Sequence, residues 1–178
     1  GNAIDIPLAK ALMEAAIQCD EDTDIRCVVL TGAGRMFCAG GDITSFAEAG
    51  DAIPSYLKEI TSYLHMAISR LSRMPKPMVT LLNGAAAGAG VSLGILGDIA
   101  LATRSARFTM AYTAIGLSPD GGATWLLPKL IGMRRAQEMA LLNKRISAEE
   151  AAEIGLITRM VEDDALAAEG QAVAEVLA

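Results

Sequence analysis

Histidine occurs once among 178 residues, tryptophan once, and aromatic side chains amount to only 4 %. Each scarcity removes a class of function. Cys19, Cys27 and Cys38 are an odd number with no CxxC pair, so beside a lone histidine no zinc cluster is expected, and free thiols in a reducing cytosol are the default. No apolar run approaches the ~18 residues of a membrane span, and no secretory signal opens the chain. Acids outnumber bases: the net charge is −6, which argues against nucleic acid as the main partner but leaves room for a small anionic ligand at a local positive patch. A Gly-Lys pair is missing, which excludes a phosphate-binding P-loop. The dinucleotide fingerprint fails as well, because Leu93 follows Gly88-Ala-Gly90, and Phe37 follows Gly32-Ala-Gly34, where a third glycine is needed. With no initiator methionine and an ending inside a helical pattern, the expectation is a piece of a longer chain. The expected compartment is cytoplasmic, with an organellar matrix left open.

What is present is aliphatic. Hydrophobic residues make up 52 %, so the core rests on Ala, Leu, Ile and Met, and 178 residues suffice for one domain with a sizeable core. Helical periodicity predicts helices over 7–19, 53–74, about 89–96, 123–129, 133–142, 148–153 and 165–177, the last weakened by Gly170. Trp125 is expected in the core. Short apolar runs bounded by glycine or proline predict buried strands at 27–31, 78–82 and 98–103, with a short one at 107–110. Strands interleaved with helices mean an α/β layered domain with a mainly parallel sheet, spanning 1–178 without linker or internal sequence repeat.

Two glycine-rich loops follow buried strands and lead into helices: "CAGGD" at 38–42 and "NGAAAGAG" at 83–90. Ligands of parallel α/β sheets gather at the carboxyl ends of strands. The glycines could simply allow close packing of strand, turn and helix. Two such loops together allow another reading. An N–H at Gly41 and one in the first helical turn after Gly88 could converge on a single oxygen, with small residues at 87–90 letting a ligand reach the backbone. Asp42 suits a helix N-cap that fixes the Gly41 amide.

"FCAGGD" at 37–42, "NGAAAGAG" at 83–90, "DIALATRSARF" at 98–108, "GLSPDGGATWLLPKLIG" at 116–132 and "AEEAAEIGLITRMV" at 148–161 resemble, in order and spacing, the enoyl-CoA hydratase/isomerase (crotonase) superfamily. The resemblance implies a spiral of repeated ββα units, lacking here a first strand and the C-terminal helices, and assembly as a trimer or dimer of trimers. It also implies an acyl-CoA thioester as substrate, with no cofactor beyond that coenzyme A and no metal, and an oxyanion hole formed by the N–H groups of Gly41 and Ala89. Ala39, Asp42, Ile43, His65, Ser92 and Tyr112 would surround the substrate.

The reaction is narrowed by departures from the pattern. Hydratases of the family use two glutamates; their positions hold Ser92 and Tyr112, whose hydroxyls cannot replace two carboxylates because their ordinary pKa values lie far above neutral. A carboxylate does stand at Asp120, in "SPDGG". On its own this is turn chemistry. By resemblance it is the catalytic aspartate of isomerases, including those for ring-epoxide phenylacetyl-CoA, and of chlorobenzoyl-CoA dehalogenases. His65 would by itself be a solvated or packing residue, yet it matches the position of the dehalogenase base. The favoured expectation is an isomerase with Asp120 as its proton shuttle. The alternatives are a dehalogenase-like hydrolase with an Asp120 nucleophile, a hydratase, or an acyl-CoA-binding scaffold without catalysis. Arg104, Arg107, Arg134 and Arg135 receive no assignment.

Overall fold

The computed structural model describes residues 1–178. Helix α1 (Ile6–Glu21) starts where the Asp5 carboxylate accepts the Leu8 N–H at 2.8 Å, with Pro7 in the first turn, where its missing donor costs nothing. It packs along α3 (Ile53–Leu71), whose inward stripe is Ile60, Leu64, Ala67, Ile68 and Leu71. α3 stops three residues earlier than its periodicity predicts, and residues 72–74 turn into the Pro75-Lys76-Pro77 breaker.

Eight strands form two four-stranded sheets. The first has the order β1 (Val28–Thr31), β3 (Met78–Leu82), β5 (Ile99–Thr103), β8 (Arg159–Val161), all parallel. The second runs β2 (Met36–Cys38), β4 (Ala85–Ala87), β6 (Arg107–Thr109), again parallel, and ends in β7 (Ile146–Ser147), antiparallel to β6. The first three strand pairs therefore split, the odd strand to the first sheet and the even one to the second, and the last pair reverses this, with β7 in the second sheet and β8 in the first. Helices α2 (Ile43–Glu48) and α3 follow the first pair and α4 (Ala89–Gly94) follows the second. The structural repeat is clear although the sequence shows none.

The core explains the strand chemistry. All five residues of β3 are buried, and Phe108, Leu82, Met110 and Val91 are fully enclosed between the layers. α5 (Ala123–Ile131), α6 (Met133–Leu142), α7 (Ala148–Glu153) and α8 (Leu166–Leu177) complete the chain. Gly170 in α8 sits close against β3: a Cβ there would force the Leu81 side chain to shift. Trp125 is not core, contrary to expectation. It is 66 % exposed, and the Lys129 ammonium lies 4.5 Å from its ring centroid. No helix is long and apolar enough to cross a membrane.

The second sheet positions the site. β2, β4 and β6 are parallel neighbours, so the segments leaving their carboxyl ends, 39–42, 88–89 and 110–112, emerge side by side.

Candidate active site

These three segments wall a cavity of about 450 Å³ together with α3 and the 114–120 loop. Ala39, Gly41, Ile43, Ala89, Tyr112 and Asp120 all line it, beside Ile60, Leu64, Phe46 and Leu117. Asp120 is the cavity's one carboxylate. The two glycine-rich loops meet directly: a Cβ on Gly40 would lie 3.6 Å from the Ala89 nitrogen, and a Cβ on Gly88 would lie 3.8 Å from the Gly40 Cα. Ala89 opens α4, where an N–H has no intrahelical acceptor, and Gly88 before it has φ 52°, which suits glycine. Gly41 is pinned from both sides, since Ile4 N–H donates to Gly40 O at 2.7 Å and Asp42 N–H to Ile4 O at 2.9 Å.

Not every glycine serves a ligand. A Cβ at Gly90 would strike the Cys38 carbonyl, so this residue lets α4 press against β2. Of the small residues at 87–90, Gly88 and Ala89 line the cavity, whereas Ala87 and Gly90 do not.

Three of the expected substrate neighbours lie outside the wall. Asp42 caps α2: its carboxylate accepts from Thr44 N–H at 3.1 Å and Ser45 Oγ at 2.6 Å, and the Ser45 contact foremost holds its pKa below the ordinary value. Ser92 is buried beneath Tyr112, its Oγ 3.3 Å from the Tyr112 hydroxyl and donating to Asp120 O at 3.1 Å. His65 stands behind Asp120, with Nε2 2.9 Å from Oδ2. The other oxygen, Oδ1, accepts the Tyr112 hydroxyl at 2.7 Å.

These bonds set the protonation states. Burial works to raise the Asp120 pKa, but hydrogen bonds from His65 and Tyr112 outweigh it and hold the group below the usual carboxylate range. His65 shifts upward, because its bond to Asp120 favours the imidazolium more than partial burial disfavours it. Tyr112 lies far above an ordinary phenol, first through burial and then through the facing Asp120 charge. At neutral pH the site thus presents an ionised carboxylate and an un-ionised phenol. Cys38, buried under the Gly40 loop, has its thiol pushed up by burial, and all three cysteines are free. No group of three His, Cys, Asp or Glu side chains is placed to hold a metal ion. Arg104 is engaged by Glu162, and Arg107 donates to the carbonyls of Arg104 and Ala106.

Sequence reasoning did not single out Phe46, whose ring covers Gly41, nor Ala111, a wall residue with φ 56°. An alanine at positive φ leaves no trace in composition or periodicity.

The whole chain, residues 1–178, matches the family described as enoyl-CoA hydratase/isomerase. It belongs to that family. A 1,2-epoxyphenylacetyl-CoA isomerase of Escherichia coli K12 is 42 % identical over 179 residues, taking in 99 % of this chain and 68 % of the relative. A 4-chlorobenzoyl coenzyme A dehalogenase of an Arthrobacter species is 33 % identical over 160 residues, covering 89 % of this chain and 58 % of the relative. The solved structure of an enoyl-CoA hydratase from Bacillus anthracis superposes with a TM-score of 0.92 at 31 % identity, over 98 % of this chain and 67 % of that one. The two-sheet spiral is therefore the crotonase fold, and the chain spans 58–68 % of the length of these family members.

Proposed function

We propose that the protein is an acyl-CoA isomerase in which Asp120 moves one proton while the N–H groups of Gly41 and Ala89 hold the thioester oxygen. The observation that carries this reading is the position of Asp120. It is the single carboxylate in an otherwise largely apolar cavity that Gly41 and Ala89 also line, and hydrogen bonds from His65 and Tyr112 favour its ionised form. With a 3-enoyl thioester the step balances without a co-reactant. Asp120 takes a proton from the α carbon, and the C–H electron pair passes into a dienolate whose negative oxygen lies on the two amides. The same carboxyl then returns the proton to the γ carbon as the α,β double bond forms and the carbonyl is restored. A ring-epoxide phenylacetyl thioester, the substrate in the name of the 42 % identical relative, is the second substrate class proposed. No cofactor is needed beyond the coenzyme A carried by the substrate, and assembly as a trimer or dimer of trimers is part of the proposal.

The test is incubation of the full-length protein with 2-enoyl-, 3-enoyl- and aryl-CoA thioesters, with products identified by mass spectrometry. Isomerised product from the native protein is expected, with a loss of at least ~10²-fold in Asp120→Asn, the low end for removing a general base. Hydration of crotonyl-CoA should be slow or absent, since Ser92 and Tyr112 offer no second carboxylate. Rapid hydration that survives Asp120→Asn would refute the assignment. Thioester binding with no Asp120-dependent turnover on any substrate would make the protein a binding scaffold.

A second reading has one observation in its favour: His65 touches Asp120, as a base serving a covalent aspartyl ester would need to. In that chemistry Asp120 attacks an aryl carbon and halide leaves, and water activated by His65 then cleaves the ester.

A further inference from the structure

Three residues other than glycine have positive φ: Asn2, Ala111 and Asn143. Two of them are asparagines, a type that visits this region readily and compensates locally. Asn2 donates to the carbonyls of Ala33, Met36 and Phe37, and Asn143 closes α6 as its left-handed C-cap. Ala111 has no side-chain group that could compensate. It is also the one of the three that lines the cavity.

Its conformation is a specific turn. The Tyr112 N–H donates to the Met110 carbonyl at 2.7 Å, an i→i+2 bond around a residue with φ 56°, which is the rare and strained hand of the γ-turn. Such strain persists only where the surroundings over-determine it, and here they do. Met110 on one side is fully buried, and Tyr112 on the other is 8 % exposed. Gly88 N–H donates to Thr109 O at 3.0 Å just before the turn. The Tyr112 carbonyl accepts two bonds just after it, from Ile115 N–H at 3.1 Å and Leu117 N–H at 3.0 Å. The turn also sits against the start of α4: a Cβ on Gly88 would lie 3.7 Å from Met110 O and 3.9 Å from the Tyr112 ring.

We propose that Ala111 is a positioning residue, whose strained γ-turn fixes the origin of the Tyr112 ring so that its hydroxyl holds Asp120 Oδ1. With the backbone of Tyr112 bonded on both sides, the direction of its Cα–Cβ bond is set by the dihedrals at 111. Relaxation of Ala111 to negative φ would re-aim the ring and free Oδ1. The methyl group contributes rigidity that glycine lacks, because an alanine caught in this well has few others within reach, whereas glycine samples both hands.

The proposal rests on the catalytic reading of Asp120 for its kinetic readout alone; a titration of Tyr112 tests it independently. In protein labelled at tyrosine 13Cζ, the resonance lost in Tyr112→Phe identifies Tyr112. In the native protein that resonance should titrate well above an ordinary phenol, and in Ala111→Gly its midpoint should move down while Tm holds or rises. Should isomerisation be established, Ala111→Gly should lower kcat by about tenfold with KM little changed, and should have no further effect in a Tyr112→Phe background. Ala111→Val, which cannot keep a positive φ, should show the same downward titration and the larger kinetic loss. An unmoved Tyr112 titration in Ala111→Gly would overturn the proposal whatever the enzyme's reaction proves to be. A kinetic loss that adds in full to that of Tyr112→Phe would overturn it too, since Ala111 would then be acting by some other route.

Discussion

Nε2 of His65 lies 2.9 Å from Oδ2 of Asp120, across 55 residues of sequence, and joins a cavity-lining carboxylate to a residue outside the cavity wall. α3 supplies the histidine and the loop before α5 the aspartate. The contact leaves Asp120 facing the cavity with His65 behind it, roughly half exposed to solvent.

His65→Gln separates the two candidate chemistries. Proton shuttling by Asp120 should survive with less than about tenfold loss, far short of the ~10²-fold or more expected from losing a general base. A hydrolytic route would instead stall as a covalent ester on Asp120. Intact-protein mass spectrometry after incubation with an aryl-CoA thioester checks this, and an adduct mass confined to His65→Gln would reverse the order of the two readings.

The pair also predicts a pH window. The Asp120 pKa is depressed on folding, so its stabilisation is present above the unfolded value of ~3.9 and is lost as pH falls through the lower folded value. The His65 pKa is raised, so its stabilisation is full below the unfolded value of ~6.5 and is lost as pH rises through the higher folded value. Urea midpoints of the native protein and His65→Gln should therefore differ most between about pH 4 and 6.5 and converge at alkaline pH. A gap of equal size at alkaline pH would mean that packing of the ring, and not its charge, stabilises the fold.

Ala89→Pro removes one amide at a position where proline is otherwise tolerated, the first residue of a helix. Turnover should fall by ~10²–10³-fold, the effect of losing one oxyanion donor. Circular dichroism and Tm verify the fold in parallel. A well-folded Ala89→Pro protein that keeps its turnover would show that the Ala89 N–H does not hold the thioester oxygen.

Gly90→Ala tests packing within the same helix. Its Cβ would meet the backbone carbonyl of Cys38, which cannot swing aside as a side chain could. The gain in helix propensity, up to ~1 kcal/mol, should be outweighed by overpacking against a backbone carbonyl, for a net loss on the order of 1–2 kcal/mol in denaturant unfolding. Unchanged stability would indicate that α4 can move away from β2 at little cost.

Much of this protein was legible in its sequence because the signals are local. Periodicity found α1, α3, α6 and α8, proline and glycine marked their limits, and the motifs around Gly41, Ala89 and Asp120 pointed to the family and to part of the cavity wall. Strands β2 and β4 were missed because each is three residues long and rich in glycine or alanine at its margins. Their extended form comes from pairing with a neighbouring strand, which no local propensity records. β7 and β8 escaped for the same reason, at two and three residues. Trp125 was misplaced because hydrophobicity signals burial only on average, and α5 turns this ring outward over Lys129. The union of His65 with Asp120, the burial of Ser92 under Tyr112 and the positive φ of Ala111 were decided by the tertiary structure alone. Each depends on which surfaces the spiral brings together, and a one-dimensional pattern of residues does not contain that distance.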